Sequence, residues 1–111
     1  MLPDYVVVGA SKAALEAVTR YLAIELASKG IVVNAVSPGL VLTEALKYFD
    51  SVKEQEALIE RAIALTTAGR LVTPEDVAEV VAFLCSPSAS MIRGQIILVD
   101  GGFTLPIQGV Q

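Results

Sequence analysis

The chain has 111 residues, of which 54% are hydrophobic and 18% are charged, and its formal net charge is −4. A chain of this length forms one domain at most, with one modest core. The negative charge, without a cluster of lysines and arginines, argues against a nucleic-acid partner. The lack of histidine excludes Ser-His-Asp and Cys-His catalysis and most zinc sites, so we expect no metal.

The sequence carries no signal for a membrane or for secretion. No uninterrupted apolar run reaches the roughly 18 to 20 residues of a membrane span. The first residues, MLPDY, lack the basic region of a secretory signal. The single cysteine, Cys85, cannot form an internal disulfide, and its apolar neighbours predict that it is buried and inert. These features predict a cytoplasmic protein without a membrane partner.

Residues 11–29 predict a helix that is apolar on more than one side. Its polar stripe is thin, because apolar residues occupy most positions: Ala13, Ala14, Leu15, Ala17, Val18, Tyr21, Leu22, Ile24 and Leu26. A helix with this pattern is buried on more than one side. Gly30 is placed to end it in the left-handed conformation.

Two apolar runs predict strands that are buried on both faces. The first is IVVNAVSPG, residues 31–39, which ends at a Pro-Gly pair. The second is GQIILVDGG, residues 94–102, in which Asp100 and the two glycines predict a structural turn without chemistry. Nearly continuous apolar strands are typical of parallel sheets that are covered by helices.

Two further segments predict helices. Residues 43–67 are helical in composition, and we expect a break near Ser51, which can serve as an N-cap. Residues 73–86 begin with strong start signals, since Thr73 can cap the helix, Pro74 takes its first position, and Asp76 has capping-box spacing.

The order of elements is therefore helix, buried strand, helical insert, helix and buried strand. This order predicts the back half of a doubly wound α/β sheet. Two strands make no stable parallel sheet by themselves. The glycine-rich turn that binds phosphate in such folds is also missing, because GASKAAL contains one glycine.

Tyr5 and Lys12 stand seven positions apart in YVVVGASK. A free tyrosine titrates near pH 10, so sharing its proton at neutral pH requires a nearby positive charge, which a lysine supplies. If the intervening residues are helical, seven positions amount to about two turns and about 10 Å of rise. The two side chains would then lie on one side of the helix, too far apart for a direct hydrogen bond.

Ordered stretches of this sequence resemble the short-chain dehydrogenase/reductase family. They are the Tyr5 and Lys12 pair with its helix SKAALEAVTRYLAIEL, then IVVNAVSPGLVLT, GRLVTPEDVAEVVAFLCS and IRGQIILVDGG. The resemblance covers residues 5–103 and matches the C-terminal half of a family member. It implies the C-terminal half of a doubly wound Rossmann-type parallel sheet. Residues 1–111 would then be a partial Rossmann-fold reductase domain, whose N-terminal dinucleotide-binding half is absent.

The spacing of the tyrosine distinguishes branches of this family. Most members have Tyr-x3-Lys, which would place the tyrosine where this chain has Val8. Tyr-x6-Lys, with Tyr5, resembles the enoyl-acyl-carrier-protein reductases, and the wording NAVS and SMIRGQ is similar to the NADPH-using enoyl reductase III. The run Ser37-Pro38-Gly39 instead resembles the ketoacyl reductases, so other substrates of the family remain open.

The resemblance also implies roles for individual residues. Tyr5 would contact the carbonyl oxygen of the substrate thioester and stabilise the enolate that forms when hydride reaches the β-carbon. Lys12 would hold the ribose of the cofactor, which is NADPH or NADH. The turn of Pro38 and Gly39 would also contact the cofactor, and after it Val41 and Thr43 would bind the carboxamide of the nicotinamide. Residues 44–67 match the family's substrate-covering lid in position.

The implied function is part of an NAD(P)H-dependent reductase that acts on an enoyl thioester, carried by acyl-carrier protein, in fatty-acid synthesis. One alternative is another reductase of the family, such as a 3-oxoacyl-acyl-carrier-protein reductase or a sugar or steroid dehydrogenase. A second is a truncated, non-catalytic module that only associates with itself or a relative. The family also implies a homo-oligomer, a dimer or a tetramer. We expect the isolated chain to be inactive, because it lacks the phosphate-binding half of the cofactor site.

Overall fold

The computed structural model describes residues 6–39, 41 and 52–105. Its helices are α1 (Val6–Glu25), α2 (Val52–Leu65) and α3 (Pro74–Leu84), its strands are β1 (Ala35–Pro38) and β2 (Ile96–Val99), and single 3-10 turns follow α1 (Ala27–Lys29) and α3 (Pro87–Ala89). This order confirms the predicted sequence of elements. The predicted helix over residues 43–50 and its break at Ser51 lie outside the described residues.

The two strands pair side by side in a parallel sheet. The backbone N–H of Ala35 donates to the carbonyl oxygen of Gln95, and the N–H of Gly39 donates to that of Val99, both at 2.9 Å. From the first bond to the second the residue number rises by four on each strand, which shows that the two strands run in the same direction. The predicted parallel sheet is therefore confirmed.

Both strands are shorter than the apolar runs predict. Before β1, the side-chain amide of Asn34 takes over the backbone partners of the ladder: its nitrogen donates to the carbonyl of Ile92 at 2.8 Å and its oxygen accepts from the N–H of Gln95 at 2.9 Å. The strands are also half-buried rather than buried on both faces. The described residues place only one neighbouring strand beside each of them, which leaves part of their surface open.

The chain divides into two compact units, the first formed by residues 1–36 and 82–97 and the second by residues 37–81 and 98–111. In the first unit, α1 leaves large apolar side chains exposed, among them Leu15, Tyr21 and Ile24. The sequence predicts a helix buried on more than one side, and the described residues do not supply the surfaces that would bury it. The α-helix ends at Glu25, and Gly30, at φ +74°, ends the 3-10 turn in the predicted left-handed conformation.

The prediction that Cys85 is buried is wrong, because its side chain is exposed. Cys85 follows the last residue of α3, and the neighbouring Phe83 is 47% exposed. The apolar run around Cys85 therefore does not turn inward within the described part of the chain.

In the second unit, α3 begins with the predicted capping box. The hydroxyl oxygen of Thr73 accepts from the N–H of Asp76 at 3.1 Å, and the Asp76 carboxylate accepts from the N–H of Thr73 at 2.9 Å. The guanidinium of Arg70 grips the same carboxylate through two bonds, at 2.7 and 3.1 Å. These bonds, with that from Arg70 the strongest, hold the pKa of Asp76 well below its usual range.

No helix in the described ranges is long and apolar enough to span a membrane. Within those same ranges, no three histidine, cysteine, aspartate or glutamate side chains come together in a way that could hold a metal ion.

Candidate functional site

Lys12 lies on α1 with its side chain exposed. The helix begins at Val6, so the residues that lead up to Lys12 are wound as the seven-residue spacing requires, and the hydroxyl of Ser11 donates to the carbonyl of Val7 at 2.8 Å. No carboxylate among the described residues forms an ion pair with Lys12. Its ammonium group is therefore available to a ligand. Tyr5 lies outside the described residues.

The Pro-Gly turn closes β1 in the second unit. Pro38 is the last residue of the strand and is exposed, and the N–H of Gly39 bonds to the carbonyl of Val99. A methyl group added to Gly39 would lie 2.7 Å from Cβ and 2.8 Å from Cα of Asp100. Only glycine fits at this position, because the backbones of the two strand ends approach so closely.

Val41 follows the turn and forms a parallel bridge with Val72. Val72 is 5% exposed and is among the buried apolar residues of this unit. The bridge fixes the backbone of Val41, which is the part of this residue expected to contact a nicotinamide carboxamide. Thr43, the other residue predicted to bind the carboxamide, lies outside the described residues.

Asp100 forms the turn that the sequence predicts. Its side chain is buried, at 7% exposure. One carboxylate oxygen accepts from the N–H of Gly102 at 2.9 Å, and the other accepts from the N–H of Thr104 at 2.8 Å and from the Thr104 hydroxyl. The hydroxyl of Thr104, and after it the N–H of Gly102, lowers the pKa of Asp100 below its ordinary value. The group therefore stays ionised at neutral pH and serves as an acceptor.

The same turn binds the segment that follows α2. The carbonyl oxygen of Gly101 accepts from the hydroxyl of Thr67 and from the N–H of Ala68, both at 2.9 Å. Gly101 and Gly102 have φ of +64° and +91°, a region that favours glycine.

Sequence reasoning identifies the turn at Asp100 but misses what it supports. The available signal is a carboxylate followed by two glycines, a phenylalanine and a threonine, a pattern in which an aspartate caps the backbone just after itself. The contact with Gly39 has no such local signal.

The structure brings Pro38, Gly39 and Val41 together with Asp100 in the second unit. Lys12 lies on α1 in the first unit.

Comparison with known proteins places these features in a family context. A family model described as "Enoyl-(Acyl carrier protein) reductase" matches residues 1–104. The enoyl-[acyl-carrier-protein] reductase [NADH] FabI of Haemophilus influenzae is 43% identical over 108 residues, which are 97% of this chain and 40% of that protein. A tropinone reductase homolog of Arabidopsis thaliana is 43% identical over 97 residues, covering 87% of this chain and 36% of that protein.

A galactitol 2-dehydrogenase (L-tagatose-forming) of Cereibacter sphaeroides is also 43% identical over 97 residues, which are 86% of this chain and 37% of that protein. This chain thus spans well under half the length of the curated relatives that it matches.

Solved structures agree with the predicted fold class. A small-chain dehydrogenase in complex with NADPH superposes with a TM-score of 0.82 and 36% identity, over 96% of this chain and 46% of that chain. A 4-hydroxyisoleucine dehydrogenase complexed with NADH superposes with a TM-score of 0.74 and 29% identity, over 87% of this chain and 39% of that chain. The chain therefore adopts part of a doubly wound, Rossmann-type α/β fold.

Proposed function

The chain belongs to the short-chain dehydrogenase/reductase family, and from this premise we propose that it is part of an NAD(P)H-dependent oxidoreductase that reduces an enoyl thioester on acyl-carrier protein. The observation that carries the proposal is the exposed Lys12 on a helix that is continuous from Val6. This winding is what a tyrosine seven positions before the lysine needs if both are to serve one site. The family model and the enoyl reductase relatives support the same reaction.

A second candidate is a reductase of the same family that acts on a ketone or an alcohol. Two observations favour it: the ketoacyl-reductase wording at Ser37-Pro38-Gly39, and a galactitol dehydrogenase that is as similar to this chain as the enoyl reductase is. The non-catalytic association module is the remaining alternative.

The residues present fit a nicotinamide cofactor. The exposed Pro38 offers a surface for a flat ring, and the bridge with Val72 fixes the backbone of Val41, whose polar groups can bind the carboxamide. Val41 and Thr43 would hold the carboxamide, and the Lys12 ammonium would hold the ribose. When bound, the reduced nicotinamide supplies the hydride for the β-carbon of the substrate.

The chain's own part in the reaction is electrostatic. The Tyr5 hydroxyl would donate a hydrogen bond to the thioester carbonyl oxygen, where negative charge develops as the β-carbon is reduced. The Lys12 ammonium would position the cofactor by binding its ribose, and its positive charge would favour proton sharing by the Tyr5 hydroxyl. We assign NADPH or NADH as the cofactor and a homo-oligomer, a dimer or a tetramer in the cytoplasm, as the working form.

The test uses the protein encoded by the complete reading frame that contains this sequence. The purified protein is assayed for oxidation of NADPH and of NADH with crotonyl thioester and, separately, with acetoacetyl thioester. Galactitol, which is a hydride donor, is assayed in the opposite direction, by reduction of NAD+ and NADP+. We expect reduction of crotonyl thioester, and we expect Y5F to lower kcat by about 10²- to 10⁴-fold, the usual contribution of a positioned proton donor.

Tyr21, an exposed tyrosine on the same helix, provides the matched control. Y21F should leave kcat unchanged. A double variant, Y5F with V8Y, moves the tyrosine to the Tyr-x3-Lys spacing and should not restore reduction of crotonyl thioester. Turnover of acetoacetyl thioester or galactitol without turnover of crotonyl thioester would establish the second candidate. A complete protein that binds neither cofactor would leave the association module.

A further inference from the structure

The carboxylate of Asp100 accepts hydrogen bonds only from the turn that follows it in the described structure. Both oxygens accept hydrogen bonds from residues two and four positions later, Gly102 and Thr104. The side chain is ionised and buried, so its charge is balanced by these donors rather than by water. The backbone of residues 100–104 is thus held in one conformation.

Gly39 packs against this fixed backbone. A Cβ at Gly39 would approach Cα of Asp100 to 2.8 Å, and that atom belongs to the main chain, which cannot rotate away. The N–H of Gly39 is bound to the carbonyl of Val99, immediately before Asp100. The position of the Pro-Gly turn is therefore set by residues 99 and 100.

The segment after α2 depends on the same turn. Gly101 accepts two hydrogen bonds from residues 67 and 68, and that segment continues to Val72, which bridges Val41. The chain is thus anchored at Gly39 and at Val41, the first of the predicted carboxamide-binding residues, to backbone that the Asp100 turn holds.

We propose that Asp100 is a positioning residue, which sets the place of the Pro38–Gly39 turn, and with it the nicotinamide ring, without touching the cofactor. This inference rests on the proposed function, because it requires the Pro-Gly turn to contact a nicotinamide. An ionised carboxylate only accepts hydrogen bonds, and that of Asp100 orders three donors: the N–H of Gly102 and the N–H and hydroxyl of Thr104.

The test substitutes Asp100→Asn in the complete protein. An asparagine has one acceptor oxygen and one donor nitrogen, so it can satisfy Gly102 or Thr104 but not both. We expect kcat with crotonyl thioester, at saturating NADPH, to fall by about 10- to 100-fold, the effect of a small misplacement of reacting groups. We expect the Kd of NADPH, measured by its fluorescence, to change by less than about tenfold, because a positioning residue does not itself touch the cofactor.

The matched control is Asp76→Asn. This is the same chemical change at another carboxylate of the same unit, which accepts bonds from Arg70 and Thr73 and has no described contact with Gly39. D76N should lower Tm but leave kcat unchanged. If D100N and D76N lower Tm alike and both keep the kcat of the wild type, Asp100 is structural only and the inference is overturned.

Two other variants, which keep the Asp100 carboxylate, make the proposal testable if D100N does not fold. Thr104→Val removes one donor to Asp100 and keeps the backbone bond. Gly39→Ala presses a methyl group against Asp100 from the other side. Both should lower kcat in the same direction as D100N, and wild-type kcat in both overturns the inference. If the wild-type protein binds no NADPH or NADH, the proposed function itself fails, which the Kd measurement on the wild type reports separately.

Discussion

Gly102→Ala should destabilise the protein more than the same change at a left-handed glycine whose surroundings are open, such as Gly69. Gly102 has a φ of +91°, and a Cβ there would overlap the hydroxyl oxygen of Thr67. Rotation of Thr67 gives only partial relief, because its Cβ, which rotation does not move, would still lie 3.0 Å away. Rotation would also break the bond that its hydroxyl donates to Gly101.

The magnitude follows from two separate effects. The left-handed conformation costs an alanine about 1 to 2 kcal/mol. Overpacking against Thr67 adds about 1 to 3 kcal/mol, so we expect the free energy of unfolding to fall by about 2 to 5 kcal/mol. Gly69, at φ +76° with nothing within 4 Å of its Cβ position, isolates the first effect. We expect G69A to cost only about 1 to 2 kcal/mol.

The assay is urea unfolding of the complete protein, fitted by linear extrapolation where the transition is two-state. Gly30, at φ +74° and also open, serves as a second control in the other unit. The double variant G102A/T67A should be less destabilised than the two single changes together, since the contact is then partly removed. Equal losses in G102A and G69A, or full additivity in the double variant, would refute the reasoning.

Three further predictions concern Asp76, Lys12 and the isolated chain. The pKa of Asp76 is depressed in the folded state, so its pairing with Arg70 stabilises the protein at pH values above the unfolded pKa of about 3.9. In thermal melts, the difference in Tm between the wild type and D76N should therefore stay constant from pH 8 to pH 5. It should shrink below about pH 4, where the carboxylate of the unfolded chain is protonated. K12A should raise the KM for NADPH and lower kcat in the complete protein, whereas K29A, at an exposed lysine of the 3-10 turn, should do neither. The isolated 111-residue chain should show no NADPH-dependent reduction of crotonyl thioester, and detectable turnover would contradict this.

Local signals in the sequence predict the local structure well. The capping box of Thr73 and Asp76 and the left-handed Gly30 are both confirmed, because each is formed by residues within four positions of one another and depends little on the rest of the fold. The parallel pairing of β1 and β2 is confirmed for a different reason: continuous apolar runs between helices have few other arrangements.

Long-range contacts could not be predicted in this way. Gly39 is a glycine because Asp100 approaches it across the sheet, not because its own φ is unusual, and no spacing rule connects the two positions. Just before β1, the side-chain amide of Asn34, rather than a backbone group, bonds to the N–H of Gln95 and to the carbonyl of Ile92. Hydrophobic patterning does not predict such a replacement of backbone by side chain. The prediction that Cys85 is buried is wrong for the same reason, since an apolar run indicates that a surface is covered but does not identify what covers it.

The exposed face of α1 bears directly on how Lys12 can work. Leu15, Tyr21 and Ile24 are 62 to 74% exposed on the helix that carries this lysine. Burying a large apolar side chain fully is worth about 1.5 to 3 kcal/mol, so covering this face would contribute several kcal/mol, a large part of the 5 to 15 kcal/mol that typically stabilises a domain. Polypeptide that packs on α1, from the same molecule or from another, therefore stabilises the helix on which the Tyr5 and Lys12 arrangement depends. Activity of the complete protein and burial of α1 should for this reason be lost together when the protein is unfolded stepwise in urea.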